Sequence, residues 1–145
     1  MSFPEPQPGL VIRYSYLWAS EAEQGREEGV KDRPCAVILV TQDAGGKRRV
    51  LVLPITHAAP ADPAMAVEIP AATKARLGLD FARSWIVLTE LNDFIWPGPD
   101  LRPLAGGDAG SVAFGMLPPG FFRLVRERFL ALARALRVEQ VPRTE

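Results

Sequence analysis

The chain has 145 residues, with 17 Lys plus Arg against 17 Asp plus Glu, 48% apolar residues, one Cys and one His. One domain of this size buries a real core without staples, and one cysteine closes no internal disulfide. The same counts exclude cysteine-based zinc clusters and multi-histidine sites, so no metal and no cofactor are expected; the zero net charge excludes bulk electrostatic attraction to nucleic acid and leaves a local basic groove open.

Residues 1–8 form an acidic, Pro-rich lead where a signal peptide would be basic and then apolar. No apolar run approaches the roughly 20 residues that span a bilayer, so a cytoplasmic protein with no membrane partner is expected. Leu10 to Trp18 mixes β-branched, aromatic and apolar residues in a strand-like run opened by Pro8-Gly9. From Ala19 to Asp32 the sequence is polar, with Gly25 and Gly29 interrupting any helix, which predicts a long mobile loop. Pro34 to Val40 is too apolar for a half-exposed strand and predicts a buried one. Gly45-Gly46 then turns the chain into Val50 to Thr56, giving an antiparallel hairpin.

Met65 to Ile69 alternates as a short strand, Pro70 to Leu77 suits one or two helical turns with Pro at the start, and Trp85 to Leu91 is a further strand. Trp96 to Asp100 (WPGPD) forces a tight turn. Apolar residues at Phe122, Val125, Phe129, Leu132 and Leu136 recur at 3, 4 spacing and predict an amphipathic helix over 118–137. The expected fold is mainly β with helices: a small, strongly bent antiparallel barrel in one domain, 9–137, with a tail at 138–145.

The zero net charge conceals four blocks of alternating sign. Residues 1–32 carry 3 basic and 6 acidic side chains, 33–79 carry 6 and 3, 80–112 carry 2 and 5, and 113–145 carry 6 and 3. A basic block thus surrounds Arg33, and acidic loops flank it.

His57, at the end of a strand, stands where catalytic groups often sit, although such a histidine is more commonly a structural one. Alternation puts Thr56 and His57 on opposite faces unless the strand ends there. Arg33 sits at the rim of the sheet, where a bidentate guanidinium suits a phosphate and its transition-state charge; pairing with Asp32 or Glu28 is the plainer alternative. Cys35, inside an apolar run, is expected as a core residue. Tyr14, Tyr16 and Trp18 share a strand face, either as core or as a surface that stacks single-stranded bases. Lys31, the helical turn and the Lys47-Arg48-Arg49 hairpin tip add modest positive potential.

Taken in order, Pro8-Gly9-Leu10-Val11, Lys31-Asp32-Arg33-Pro34, Leu53-Pro54-Ile55-Thr56, Ser84-Trp85-Ile86-Val87-Leu88 and the C-terminal amphipathic helix make the chain resemble the MazF/PemK (Kid) family of toxin ribonucleases, as a divergent, PemK-like member. That resemblance implies an SH3-like barrel of the CcdB/PemK type and a homodimer that inhibits growth by cutting single-stranded RNA without metal. It also implies neutralisation by an antitoxin segment lying over the RNA groove. On it, Arg33 would stabilise the scissile phosphate and assist proton transfer, and Thr56 would hydrogen-bond to the phosphate. The substrate's 2′-hydroxyl would be the nucleophile, with His57 as a compensating acid or base; Tyr14, Tyr16 and Lys31 would contact substrate.

The stretch Thr89-Glu90-Leu91-Asn92-Asp93 departs from the family, with Asn92 in place of its Arg and Asp93 in place of its Thr. Glu90 or Asp93 could stand in as a substrate-facing carboxylate. The departure favours a second reading, a catalytically degenerate barrel that binds RNA or a protein partner without cleavage. A third, a gyrase-directed toxin of the related CcdB type, rests on fold analogy alone.

Overall fold

A sheet buried on both faces needs strands with continuous apolar runs, and this chain supplies three of them. The computed structural model describes residues 3–26, 29 and 31–143. Strand β1 spans Leu10–Tyr14, β2 Arg33–Gln42 and β3 Arg48–Thr56, paired antiparallel in the order β1-β2-β3. Successive residues feed opposite cores. Val11, Ala36, Ile38, Leu53 and Ile55 point to one side, while Ile12, Tyr14, Cys35, Val37, Val50 and Val52 point to the other. The period-2 geometry of strands and the continuous apolar runs are therefore the same fact.

Five more strands complete an eight-stranded sheet: β4 Ala66–Glu68, β5 Trp85–Val87, β6 Glu90–Ile95, β7 Ala113–Met116 and β8 Glu139–Pro142. The path runs β4-β5-β3-β2-β1-β7, with β6 beside β3 and β8 beside β6. Only β6–β8 is parallel among these pairs. The run expected as one strand from Trp85 is broken: β5 pairs with Ile55–Thr56, β6 pairs with Arg49–Val52, and Leu88–Thr89 separate them. Leu88 is fully buried at that break.

Helices are α1 Ala19–Glu23, α2 Ala71–Leu77 and α3 Pro119–Arg134. The loop expected over 19–32 thus begins with a helical turn, in which the Trp18 N–H donates to the Glu21 carboxylate at 3.0 Å. Gly29 is required by proximity, since a Cβ there would collide with the Tyr16 carbonyl. Strand β7 lay outside every predicted element, and the expected tail is part of the domain, because β8 joins the sheet and Arg143 is buried. No helix among the described residues is long and apolar enough to cross a membrane.

Helix α3 covers the first core with Val125, Phe129 and Leu132, all buried, while Phe122 packs at its margin. Leu136 departs from the expected stripe: it lies beyond the helix end with φ +55° and is 92% exposed. Phe129→Ala is therefore expected to cost about 3–5 kcal/mol, while Leu136→Ser stays within about 0.5 kcal/mol of wild type. Urea unfolding of the two variants measures the contrast, and equal losses would show that α3 packs otherwise.

Candidate functional site

The register of the β2–β3 hairpin brings the candidate residues together. Cys35 stands opposite Pro54, and continuing that ladder by two residues places Arg33 opposite Thr56. Strand β3 ends at Thr56, so His57 escapes the alternation that would have sent it to the other face. Arg33, Thr56 and His57, with Lys31, line one open cleft of about 510 Å³, whose walls also include Asp32, Lys74, Asp80 and Ser84. The Thr56 hydroxyl accepts the Ala58 N–H at 3.2 Å, which shapes the turn out of the strand.

Arg33 is held by its backbone neighbours and not by an acid. Its guanidinium carbon lies 4.9 Å from the centre of the Trp18 ring, and Nη1 donates to the Ile55 carbonyl at 3.3 Å. Among the described residues the guanidinium makes no other hydrogen bond, and Nε is buried without a partner. Asp32 is engaged elsewhere, 3.6 Å from Arg13 and 3.4 Å from Arg102. The plainer expectation, that Asp32 neutralises Arg33, is thereby replaced by a cation stacked on an aromatic face with donors left over. Glu28, the other acid considered, lies outside the described residues. A second, smaller cavity of about 120 Å³ shares Lys31 and Arg33 and is walled by Tyr16, Trp18 and Glu21.

His57 carries a partner that sequence reasoning did not find. Its Nε2 lies 2.7 Å from Asp80 Oδ2, and the second oxygen of Asp80 lies 2.6 Å from the Lys74 ammonium. The Lys74 hydrogen bond, with smaller help from the charges of Lys74 and His57, holds the Asp80 carboxyl below its ordinary range. The helical turn therefore supplies no free surface charge at Lys74. The signal that could have shown it is the polar triplet Asp80, Ala82 carbonyl and Ser84 following Gly78, whose φ of +71° turns the chain back over α2.

Four candidates lie away from this cleft. Tyr14 and Tyr16 are 0% and 1% exposed. Tyr14 stacks on Phe94 at 4.6 Å, so it is core and no platform for bases; only an edge of Tyr16 reaches the smaller cavity. Burial raises both phenols far above their usual range, and it raises the Cys35 thiol likewise, which leaves that residue an inert core side chain. Glu90 accepts from the Tyr16 hydroxyl at 3.0 Å and the Ala19 N–H at 2.9 Å. Asp93 accepts from Gln140 at 2.6 Å and lies 3.2 Å from Arg49. Both carboxylates tie the sheet to its surroundings and do not face the cleft. Arg48 pairs with Glu5, so two of the three cations at the hairpin tip are neutralised locally.

Desolvation raises the Glu90 carboxyl above its ordinary value, outweighing the two hydrogen bonds. An acid whose folded value is raised loses stability as pH climbs from its unfolded value through the raised one. Glu90→Gln keeps an acceptor for Tyr16 and Ala19 and removes that loss. The variant is expected to gain thermal stability at neutral pH and to match wild type near pH ~4. A thermal melt series across pH checks this, and a lower midpoint at neutral pH would show that the charge itself stabilises the fold.

Asn92, the departure from the family pattern, is fully buried and structural. Its Oδ1 accepts from the Leu17 N–H at 2.8 Å and from Arg143 at 3.0 Å, and its Nδ2 donates to the Leu17 carbonyl at 2.7 Å. No family model matches the chain, and no curated protein matches it. Among the described residues, no three His, Cys, Asp or Glu gather in a way that could hold a metal ion.

Proposed function

We propose that the protein is a toxin-like endoribonuclease that cuts single-stranded RNA by 2′-hydroxyl attack. The observation that carries this reading is the convergence on one cleft of a guanidinium with uncommitted donors, a strand-end threonine and a histidine backed by a carboxylate. The 2′-oxygen forms a bond to phosphorus, the bond from phosphorus to the 5′-oxygen breaks, and a cyclic phosphate and a 5′-hydroxyl result. Nε2 of His57 donates to Asp80, which leaves Nδ1 to take the 2′-hydroxyl proton; the leaving oxygen is protonated by solvent in the open cleft.

Arg33 stabilises the charge that develops on the phosphoryl oxygens, Thr56 hydrogen-bonds to one of them, and the exposed Lys31 draws the strand in. On this reading the bent sheet around β3 is an SH3-like barrel of the CcdB/PemK type. The protein acts as a cytoplasmic homodimer and growth inhibitor, countered by an antitoxin segment that covers the cleft. Asn92 does not count against the reading. Its side chain clamps Leu17 and Arg143, so the loss of the family's Arg there takes nothing from this cleft.

The test is incubation of purified protein with a long single-stranded RNA in EDTA, followed by mapping of the ends. Cleavage leaving 2′,3′-cyclic phosphates, lost in Arg33→Ala and Thr56→Ala, supports the proposal. Intact RNA that is nevertheless bound would turn it in favour of the non-catalytic reading.

A further inference from the structure

We propose that Lys74 is a positioning residue that holds Asp80 against His57 and so fixes which imidazole nitrogen faces the cleft. Lys74 is 4% exposed. A buried ammonium is costly unless each of its three donors is met, and here each is: Asp80 Oδ1 at 2.6 Å, Ser84 Oγ at 2.7 Å and the Ala82 carbonyl. All three acceptors come from one short segment that doubles back after Gly78, and the Leu79 N–H fastens that segment to the Lys74 carbonyl at 3.0 Å. The ammonium thus gathers the loop that bears Asp80.

The His57–Asp80 pair could not hold itself in place as firmly. Its side chains are 57% and 54% exposed, and an exposed ion pair contributes little against the freedom its two side chains give up. Lys74 changes this by fixing one carboxylate oxygen from the buried side, which aims the other at His57 Nε2. Nε2 then carries the proton and Nδ1 is the open acceptor. The other charged groups on the cleft walls are Lys31, Asp32 and Arg33; Asp32 is occupied by Arg13 and Arg102, and Arg33 is stacked on Trp18.

The catalytic consequence rests on the ribonuclease reading above, whereas the positioning does not. Because the chain has one histidine, the ring nitrogens of untagged, 15N-labelled protein give one unambiguous pair of signals. In alkaline buffer, wild type is expected to show two widely separated signals, the signature of one tautomer. Asp80→Ala and Lys74→Met are each expected to draw the pair together, towards the mixture of free histidine.

Amide spectra show whether Lys74→Met is folded, and Lys74→Gln, which stays polar but is one atom shorter and loses the charge and one donor, serves if it is not. Wild-type ring signals in the folded variant would overturn the proposal. In the RNA assay, kcat is expected to fall roughly tenfold with KM unchanged. If wild type cuts no RNA, the ribonuclease reading fails and the ring signals still decide the role of Lys74.

Discussion

Arg33→Ala is expected to lower RNA cleavage by about 10²–10³-fold, the usual consequence of removing one preorganised donor to transition-state charge. The fold should survive. Arg33 sits at the start of β2 with its guanidinium on the Trp18 ring and one long hydrogen bond to Ile55, contacts whose loss costs about 0.5–1 kcal/mol. Arg33→Lys should recover only part of the activity, because an ammonium neither stacks as well on an indole nor presents two parallel donors to a phosphate. Initial rates on a short labelled RNA, with melting curves on the same preparations, separate the chemical loss from a folding loss. Equal rates for wild type and Arg33→Ala would remove Arg33 from the mechanism even if cleavage itself were real.

The second large effect is on stability and lies away from the cleft. Asn92→Leu keeps the branched heavy-atom skeleton and removes the polar groups that satisfy both backbone groups of Leu17 and one arm of Arg143. Buried groups left without partners make this a loss of about 3–5 kcal/mol, which lowers the melting temperature by roughly 10–15 °C in a domain of this size. Asn92→Asp should lose less, since it keeps the acceptor that Arg143 and Leu17 use. A melting midpoint for Asn92→Leu within about 2 °C of wild type would mean that the segment after β1 is anchored by something else.

The parts of the fold legible in the sequence are those where local pattern and tertiary burial agree. The β2–β3 hairpin announces itself through two apolar runs and a glycine turn, and α3 through its 3, 4 spacing. What could not be read depends on partners far along the chain. β7 is four half-exposed residues including a glycine at φ +136°, and it is a strand because β1 offers it an open edge. β8, with its sequence EQVP, is a strand because β6 does the same. Leu136 broke the helical stripe because α3 ends at Arg134, and periodicity alone does not mark that end.

The site divides in the same way. Arg33 and Thr56 were paired in the sequence only through the family resemblance, since the register that sets them opposite each other comes from the folded hairpin; His57 was legible because it follows a strand end. Lys74 was hidden by the expectation that a lysine on a short helix faces water. Tyr14 and Tyr16 do feed one core, but the strand expected to run to Trp18 ends at Tyr14, and their burial depends on Phe94, Leu101 and Val112, which arrive much later in the chain.

Arg143 carries this dependence to its limit. It donates to the Ser15 carbonyl at 2.6 Å across 128 residues of chain and reaches Asn92 as well. Contacts of such sequence separation form late and slow folding. During synthesis from the N-terminus, the segment that bears Tyr16 and Trp18, the wall on which Arg33 stacks, can dock on Glu90 and Asn92 but lacks its Arg143 anchor until residue 143 has emerged from the ribosome. A nascent chain shorter than this carries the residues of the site with one anchor of its wall still missing.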